Sequence, residues 1–232
     1  IGFITAGLYG SPFWRSLIQT SLFAACCAML APNLHYGVVY AADRVAIADS
    51  LREDVAAGMP VRQIAQRHPR VFPNEARLER FLAQMQQARL GPFAEASRTF
   101  VEPRCHEQPF AGAPVLMNQA VVHEDNLGES LGDDPYLVYA LPAATKVCGI
   151  RMEFDLDNRI AAPPMTQMFW KNAAAGEEFD GQHRNATLAT HNARQTATFW
   201  VYATIDHFRF DPDIRPGAFR VRAITLLVED AP

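Results

Sequence analysis

Between Phe13 and Ala42 the chain carries one charged side chain, Arg15, and the next is Asp43. A segment so poor in charge has to leave water, into either a bilayer or a protein core. Crossing the hydrocarbon region takes roughly 20 mostly apolar residues in a helix. Phe13 to Ala31 nearly supplies them, diluted by Gln19, Thr20 and Ser21, and Pro32 with Asn33 is expected to break or kink the helix there. Trp14 at one end and His35, Tyr36 and Tyr40 at the other match the interfacial anchors of a spanning segment. The competing account is a core helix of a soluble protein. Orientation is not encoded, because Arg15 on one side faces Arg44 and Arg52 mixed with acids on the other.

Beyond Ala42 the texture is that of a folded soluble domain. Apolar residues make up 49% of the chain and charged ones 20%, which excludes wholesale disorder. With a net charge of -4 and no Lys/Arg run, nothing marks an electrostatic footprint for nucleic acid. The chain opens on Ile1 with no basic stretch ahead of the apolar segment, which does not fit a secretory signal. The expectation is a fragment or a processed chain whose upstream part holds further residues.

Asp43 to Leu90 reads as helical. Val45, Ala48, Leu51, Val55 and Ala56 recur at spacings of three and four, and Gly58 supplies a stop. Pro60 suits the first turn of a second helix. Asn74 suits the N-cap of a third, which carries Leu78, Phe81, Leu82 and Met85 on one stripe and ends at Gly91. From Phe100 short β-like runs follow, separated by Gly, Asn, Asp and Pro. They are VLMNQAVVHE, YLVYAL, VCGIRMEFDL, MTQMFWK, ATFWVYATI, HFRF and AFRVRAITLLVE. This spacing predicts an antiparallel sandwich. Alternation puts Phe208 and Phe210 against the core, with Arg209 and Asp211 on the other face. The Asp211-Pro212 stop and the Pro216-Gly217 corner are expected to close a hairpin with the final strand, whose two faces are both mixed.

Four cysteines fall into two kinds. Cys26 and Cys27 lie in the apolar run. Cys105 and Cys148 form one disulfide if their region faces an oxidising compartment, or stand as two buried thiols. No CxxC spacing suggests zinc.

Candidate binding residues cluster in two places. Trp170, Lys171 and Asn172 end a strand, and an aromatic ring beside hydrogen-bonding groups is what a sugar needs. Trp170 and Phe169 face opposite ways, so one of the two fills the core instead. His183, Arg184, His191 and Arg194 fall in the segment DGQHRNATLATHNAR, read as a loop that either holds an anionic sugar substituent or is simply solvated. No third ligand completes a metal set around the two histidines, and no metal or cofactor is assigned. Asn185-Ala186-Thr187 has the form of a glycosylation acceptor. Asp206, Asp211 and Asp213, with Glu124, Asp125, Glu129, Asp133 and Asp134, lack the spacing of an EF-hand and read as turn formers. Arg209 and Asp211 share a face two residues apart, either as a structural ion pair or as a grip on a ligand carboxylate. No GxSxG, HExxH, Walker or dinucleotide motif occurs.

The segment FRFDPDIRPGAFRVRAITL, preceded by MFWKN and EEFDG, resembles a pattern of bacterial envelope-glycan proteins. In these a jelly-roll or carbohydrate-binding-module-like sandwich follows a membrane or glycosyltransferase region. The matching positions are Trp170, Phe179, Phe208, Arg209, Asp211, Pro212, Pro216 and Gly217. The stretch from Asp54 to Phe93 is similar to the segment joining the last membrane helix to such a sandwich, so the resemblance covers most of residues 13–230.

What the resemblance implies is membrane association and a part in surface-polysaccharide or glycolipid assembly. The expected architecture is α+β: an apolar membrane helix (1–42), a helical connector (43–99) and a jelly-roll-like β-sandwich (100–232). The sandwich is expected to be a non-catalytic module on the periplasmic side of a bacterial inner membrane. It would bind glycan or pack on the upstream part of the same polypeptide, for which a glycosyltransferase is the candidate. The rival expectations are a glycan-processing enzyme that uses the loop histidines and aspartates, and a purely structural docking domain.

Overall fold

The computed structural model describes residues 12–72, 74–95, 100–123, 127–157, 164–189 and 194–230. Within these, three helices come first: α1 Pro12–Ala56, α2 Val61–Arg67 and α3 Glu75–Ala88. Nine strands follow. They are β1 Cys105–Phe110, β2 Leu116–Asn118, β3 Ala120–Val122, β4 Leu127–Ser130, β5 Tyr136–Asp157, β6 Met165–Lys171, β7 Arg184–Leu188, β8 Arg194–Asp211 and β9 Gly217–Glu229. The chain divides into two compact units, Ile1–Ser50 and Leu51–Pro232.

In the first unit α1 runs through Pro32 without the expected break. A proline forfeits one backbone bond and crowds one turn, at about 3 kcal/mol, and a 45-residue helix has many other bonds to hold it. The helix is long and apolar enough to cross a membrane, with a mean hydropathy of 1.5 in its most apolar window. Phe23, Leu30, Leu34 and Val38 are more than half exposed along it. Tyr36 and Tyr40 follow, with Arg44 set over the Tyr40 ring at 4.8 Å. The Trp14 side chain lies outside the described residues.

The second unit has two cores. Val55, Ile64, Ala65, Leu78, Leu82 and Phe93 form the smaller, helical one. Gly58 ends α1 at φ +76, a conformation that costs glycine little, and the Asn74 carboxamide accepts the Arg77 N–H at 2.9 Å to cap α3. Two details differ from expectation. Phe81 is 58% exposed instead of joining the stripe, and α3 closes on a left-handed Arg89, two residues before Gly91.

The larger core lies inside a curled antiparallel sheet of order β3-β4-β9-β5-β8-β6-β7, with β1 added to β9 and β2 to β5. Two long strands make the curl. Residues 137–140 of β5 pair with 207–210 of β8, while 145–155 pair with 194–205, and a register shift separates the two stretches. One layer therefore holds β2, β6 and β7 with the first part of β5 and the last part of β8. The other holds β1, β4 and β9 with the remainder. Phe208, Phe210, Met168 and Trp170 of the first layer meet Ile150, Phe154, Phe199 and Leu226 of the second in the core.

The predicted closing hairpin is not formed, because β5 lies between β8 and β9. The proline-rich corner carries the chain from one layer to the other instead. The mixed faces of β9 also have a cause. Glu153 pairs Ala223 and Phe154 pairs Val221, leaving Arg222 as an extra residue. This bulge switches the inward parity from Phe219 to Ile224 and Leu226. Two segments read as loops or turns are strands: β4 lies within the acidic stretch, and β7 begins at Arg184. Glu124 and Asp125 lie outside the described residues.

Cys105 and Cys148 are joined by a disulfide that closes a separation of 43 residues and ties β1 to the β5 bulge. Cys26 and Cys27 are free and exposed on α1.

Candidate functional site

The outer faces of the two layers differ. On the second, opposite charges meet across strands: Arg151 with Glu107 at 2.7 Å, Arg194 with Glu153 at 2.5 Å and Arg222 with Asp155 at 2.7 Å. On the first, aromatic rings alternate with polar groups. Cross-strand pairing sets Arg184 of β7 opposite Phe169 of β6, and Phe169 opposite Arg209 of β8. The next row on the same face sets Gln167 opposite Asp211. The row on the other side sets Lys171 opposite His207.

Arg209 organises this face. Its Nε donates to Asp211 Oδ1 and its Nη2 to Asp211 Oδ2, both at 2.7 Å, and Nη2 also reaches Asp134 Oδ1 at 2.6 Å. The guanidinium carbon lies 3.7 Å from the centre of the Tyr136 ring and 4.8 Å from that of Phe169. Such contacts suit a planar cation, which stacks while its edge donates. Burial alone would lower the Arg209 pKa, but the hydrogen bonds and charges of Asp211 and Asp134 raise it. Burial is also the largest influence on Asp211 and pushes its carboxyl up to about 6, against the opposing pull of Arg209. The cation is thus secured, whereas its buried partner sits near its titration range.

Of the expected binding residues, Arg184, Arg209 and Asp211 come together here. Trp170 is 2% exposed and fills the core, so the ring presented on this face is Phe169. Lys171, Asn172 and His183 lie at the end of β6 and in the loop that follows. Lys171 Nζ is 3.3 Å from Glu178 and 4.8 Å from the centre of the Phe179 ring. The Asn172 N–H donates to Glu177 at 2.8 Å. His183 Nδ1 lies 3.0 Å from Asp180 Oδ1, and its ring meets Trp170 edge-on. His191 lies outside the described residues. Asp206 accepts from the backbone of Ala173 and Ala174 and lies 2.7 Å from His207 Nδ1, which anchors the loop after β6. Asn185 is fully buried, so its glycosylation pattern is inaccessible as folded. Among the described residues no group of three or more His, Cys, Asp or Glu converges as a metal site.

Sequence reasoning missed Tyr136 and Gln167, read Asp134 as a turn former, and named Phe169 only as the alternate of Trp170. Tyr136 and Asp134 reach Arg209 only through the pairing of β5 with β8, which no local pattern announces.

No family model and no curated protein matches this sequence. Among solved structures, a mutant of a family 29 carbohydrate binding module is similar over 53% of this chain and 92% of its own, at 10% identity and a TM-score of 0.41. A low affinity xylan binding module of family 86 from Roseburia intestinalis is similar over 53% of this chain and 96% of its own, at 11% identity and a TM-score of 0.40.

A cavity of about 620 Å³ opens elsewhere, beside the β1–β2 loop, lined by Phe110, Pro114, Met117, Tyr139 and Phe219. Its one arginine, Arg222, is already held by Asp155. His123 lines it as well, but the face around Arg209 sets aromatic rings and polar side chains side by side along paired strands and is the better candidate.

Proposed function

We propose that the strand domain is a non-catalytic glycan-binding module, anchored to a membrane by α1 and serving cell-envelope glycan assembly. The observation that carries this reading is the row Arg184–Phe169–Arg209 with Tyr136 beside it. A pyranose ring has an apolar C–H face and an equatorial belt of hydroxyls, so it needs flat aromatic surface flanked by fixed donors and acceptors. Phe169 and Tyr136, both half-buried, offer the first. Arg184, Gln167, Lys171 and Asp134 offer the second. The Cys105–Cys148 disulfide supports an oxidising, extracytoplasmic setting. The apolar length of α1 supports a membrane anchor, which would make the upstream part of the polypeptide and the bilayer its partners.

The test is glycan binding by the full chain in lipid nanodiscs. Phe169→Ala and Tyr136→Ala are each expected to weaken binding roughly tenfold, the loss of about 1.4 kcal/mol of stacking and packing, with the thermal midpoint nearly unchanged. Trp170→Ala should instead cost about 3–5 kcal/mol of stability. A panel in which the intact chain binds no glycan would sink the proposal.

A further inference from the structure

We infer that the glycan this face takes is an acidic one, and that Arg184 holds a carboxylate of a uronate unit beside the Phe169 ring. The inference rests on the glycan reading and narrows its ligand. Its basis is an imbalance between two arginines on the same row. Arg209 is neutralised twice, by Asp211 in bidentate fashion and by Asp134. Arg184 is half-buried, yet among the described residues its side-chain acceptor is the neutral Gln167 Oε1, at the long distance of 3.4 Å. Burial and then the like charge of Arg67 weigh against its protonated form, and only Asp211 pulls the other way. Arg67 offers no relief, since it is itself a cation held by Asp54 at 3.1 Å and by the Gln182 carbonyl at 2.5 Å.

A half-buried guanidinium with unspent donors is costly unless an anion meets it, and the planar fork matches a carboxylate two bonds at a time. Cross-strand pairing places the Phe169 ring directly beside Arg184. A sugar stacked on that ring would carry a ring carboxylate to the Arg184 side. On the Arg209 side the same substituent would meet Asp211 and Asp134, which repel it. Lys171, two residues along β6 on the same face, pairs at 3.3 Å with Glu178, which is 84% exposed, lies over the Phe179 ring, and adds a second attractive charge.

The experiment uses polyuronates paired with their own carboxyl-reduced forms, so that backbone and linkage stay constant. Polygalacturonate, alginate and hyaluronan, each with its reduced counterpart, are titrated against the full chain in neutral-lipid nanodiscs at low salt. For at least one pair the acidic form is expected to bind tenfold or more tighter than the reduced form, and the margin should shrink as salt rises. Arg184→Gln should abolish that margin by weakening the acidic form far more than the reduced form, and Arg184→Lys should restore part of it. Equal binding of acidic and reduced forms overturns the inference and leaves the glycan reading standing. Binding of neither form in any pair, where neutral glycans do bind, overturns it as well. If no glycan of any kind binds, the parent reading fails with it. Should Arg184→Gln not fold, the acidic-to-reduced ratio of the unaltered chain and its salt dependence decide the matter alone.

Discussion

At Asp211 two opposed influences meet on one carboxyl group. The side chain is 4% exposed, which favours the neutral acid, while a bidentate guanidinium favours the carboxylate. Burial prevails, and the group titrates at about 6. A carboxyl whose folded pKa stands above its unfolded value of about 3.9 holds its proton more tightly in the native state. Its contribution to stability is therefore fully present below about pH 4 and is lost as pH rises through 6. The size is at most roughly 3 kcal/mol, since a tenfold change in proton affinity is worth about 1.4 kcal/mol. Carboxyl-carbon NMR should find Asp211 titrating near 6 in the folded chain, and Arg209→Met should move it higher by removing the cation. An Asp211 that titrates below 4 would mean that the ion pair outweighs desolvation and that the site is permanently zwitterionic.

Among the elements, α2 has seven residues and little intrinsic stability, so its place depends on what it touches. Gln66 is 2% exposed and works as a substitute peptide group. Its Nε2 donates to the Thr198 carbonyl at 2.7 Å, and its Oε1 accepts from Trp200 N at 2.9 Å and from Asn185 Nδ2 at 3.2 Å. Gln63 adds a bond to the Val201 carbonyl at 3.0 Å. Among the described residues β6 meets β8 only along 207–211, so these two glutamines cover a part of the β8 edge that β6 leaves open. Gln66→Leu keeps the volume but orphans the amides it served. It should cost about 2–3 kcal/mol in chemical denaturation, and a loss below about half a kcal/mol would show that the network is dispensable.

The same elements show which parts of the fold a sequence can express. Alternation located Phe208 and Phe210 correctly, because period two is a local property of strands. It could not show that Ile205 is buried too, since the slip between Thr145–Ile205 and Ala140–His207 depends on the partner strand. The Asp-Pro and Pro-Gly signals marked where the chain turns, and turn chemistry does not say that β5 lies between β8 and β9. The β7 strand was hidden because Asn185 and Thr187 look solvated. They face inward to meet Gln66 and Glu75 more than 100 residues away. The Arg209–Asp211 half of the site was legible as two positions on one strand face, while Tyr136 and Asp134 entered through long-range pairing.

At the scale of the whole molecule, the chemistry of the two units is sharply different. In Leu51–Pro232 the exposed charges on one sheet face are paired, and a disulfide spanning 43 residues limits the unfolded ensemble by about 2–4 kcal/mol. In Ile1–Ser50 the described part of α1 shows water a nearly continuous apolar surface, which no stable aqueous state favours. The membrane anchor proposed above would cover that surface, and Cys26 and Cys27 test it because both are exposed on the helix within the apolar stretch. In intact vesicles holding the full chain, a membrane-impermeant maleimide should leave both thiols unmodified whichever side it is added to. The same reagent should label them once detergent removes the lipid, since the thiolate must meet water to react. Labelling in intact vesicles at the rate seen in detergent would place the segment outside the hydrocarbon and require a protein partner to cover it.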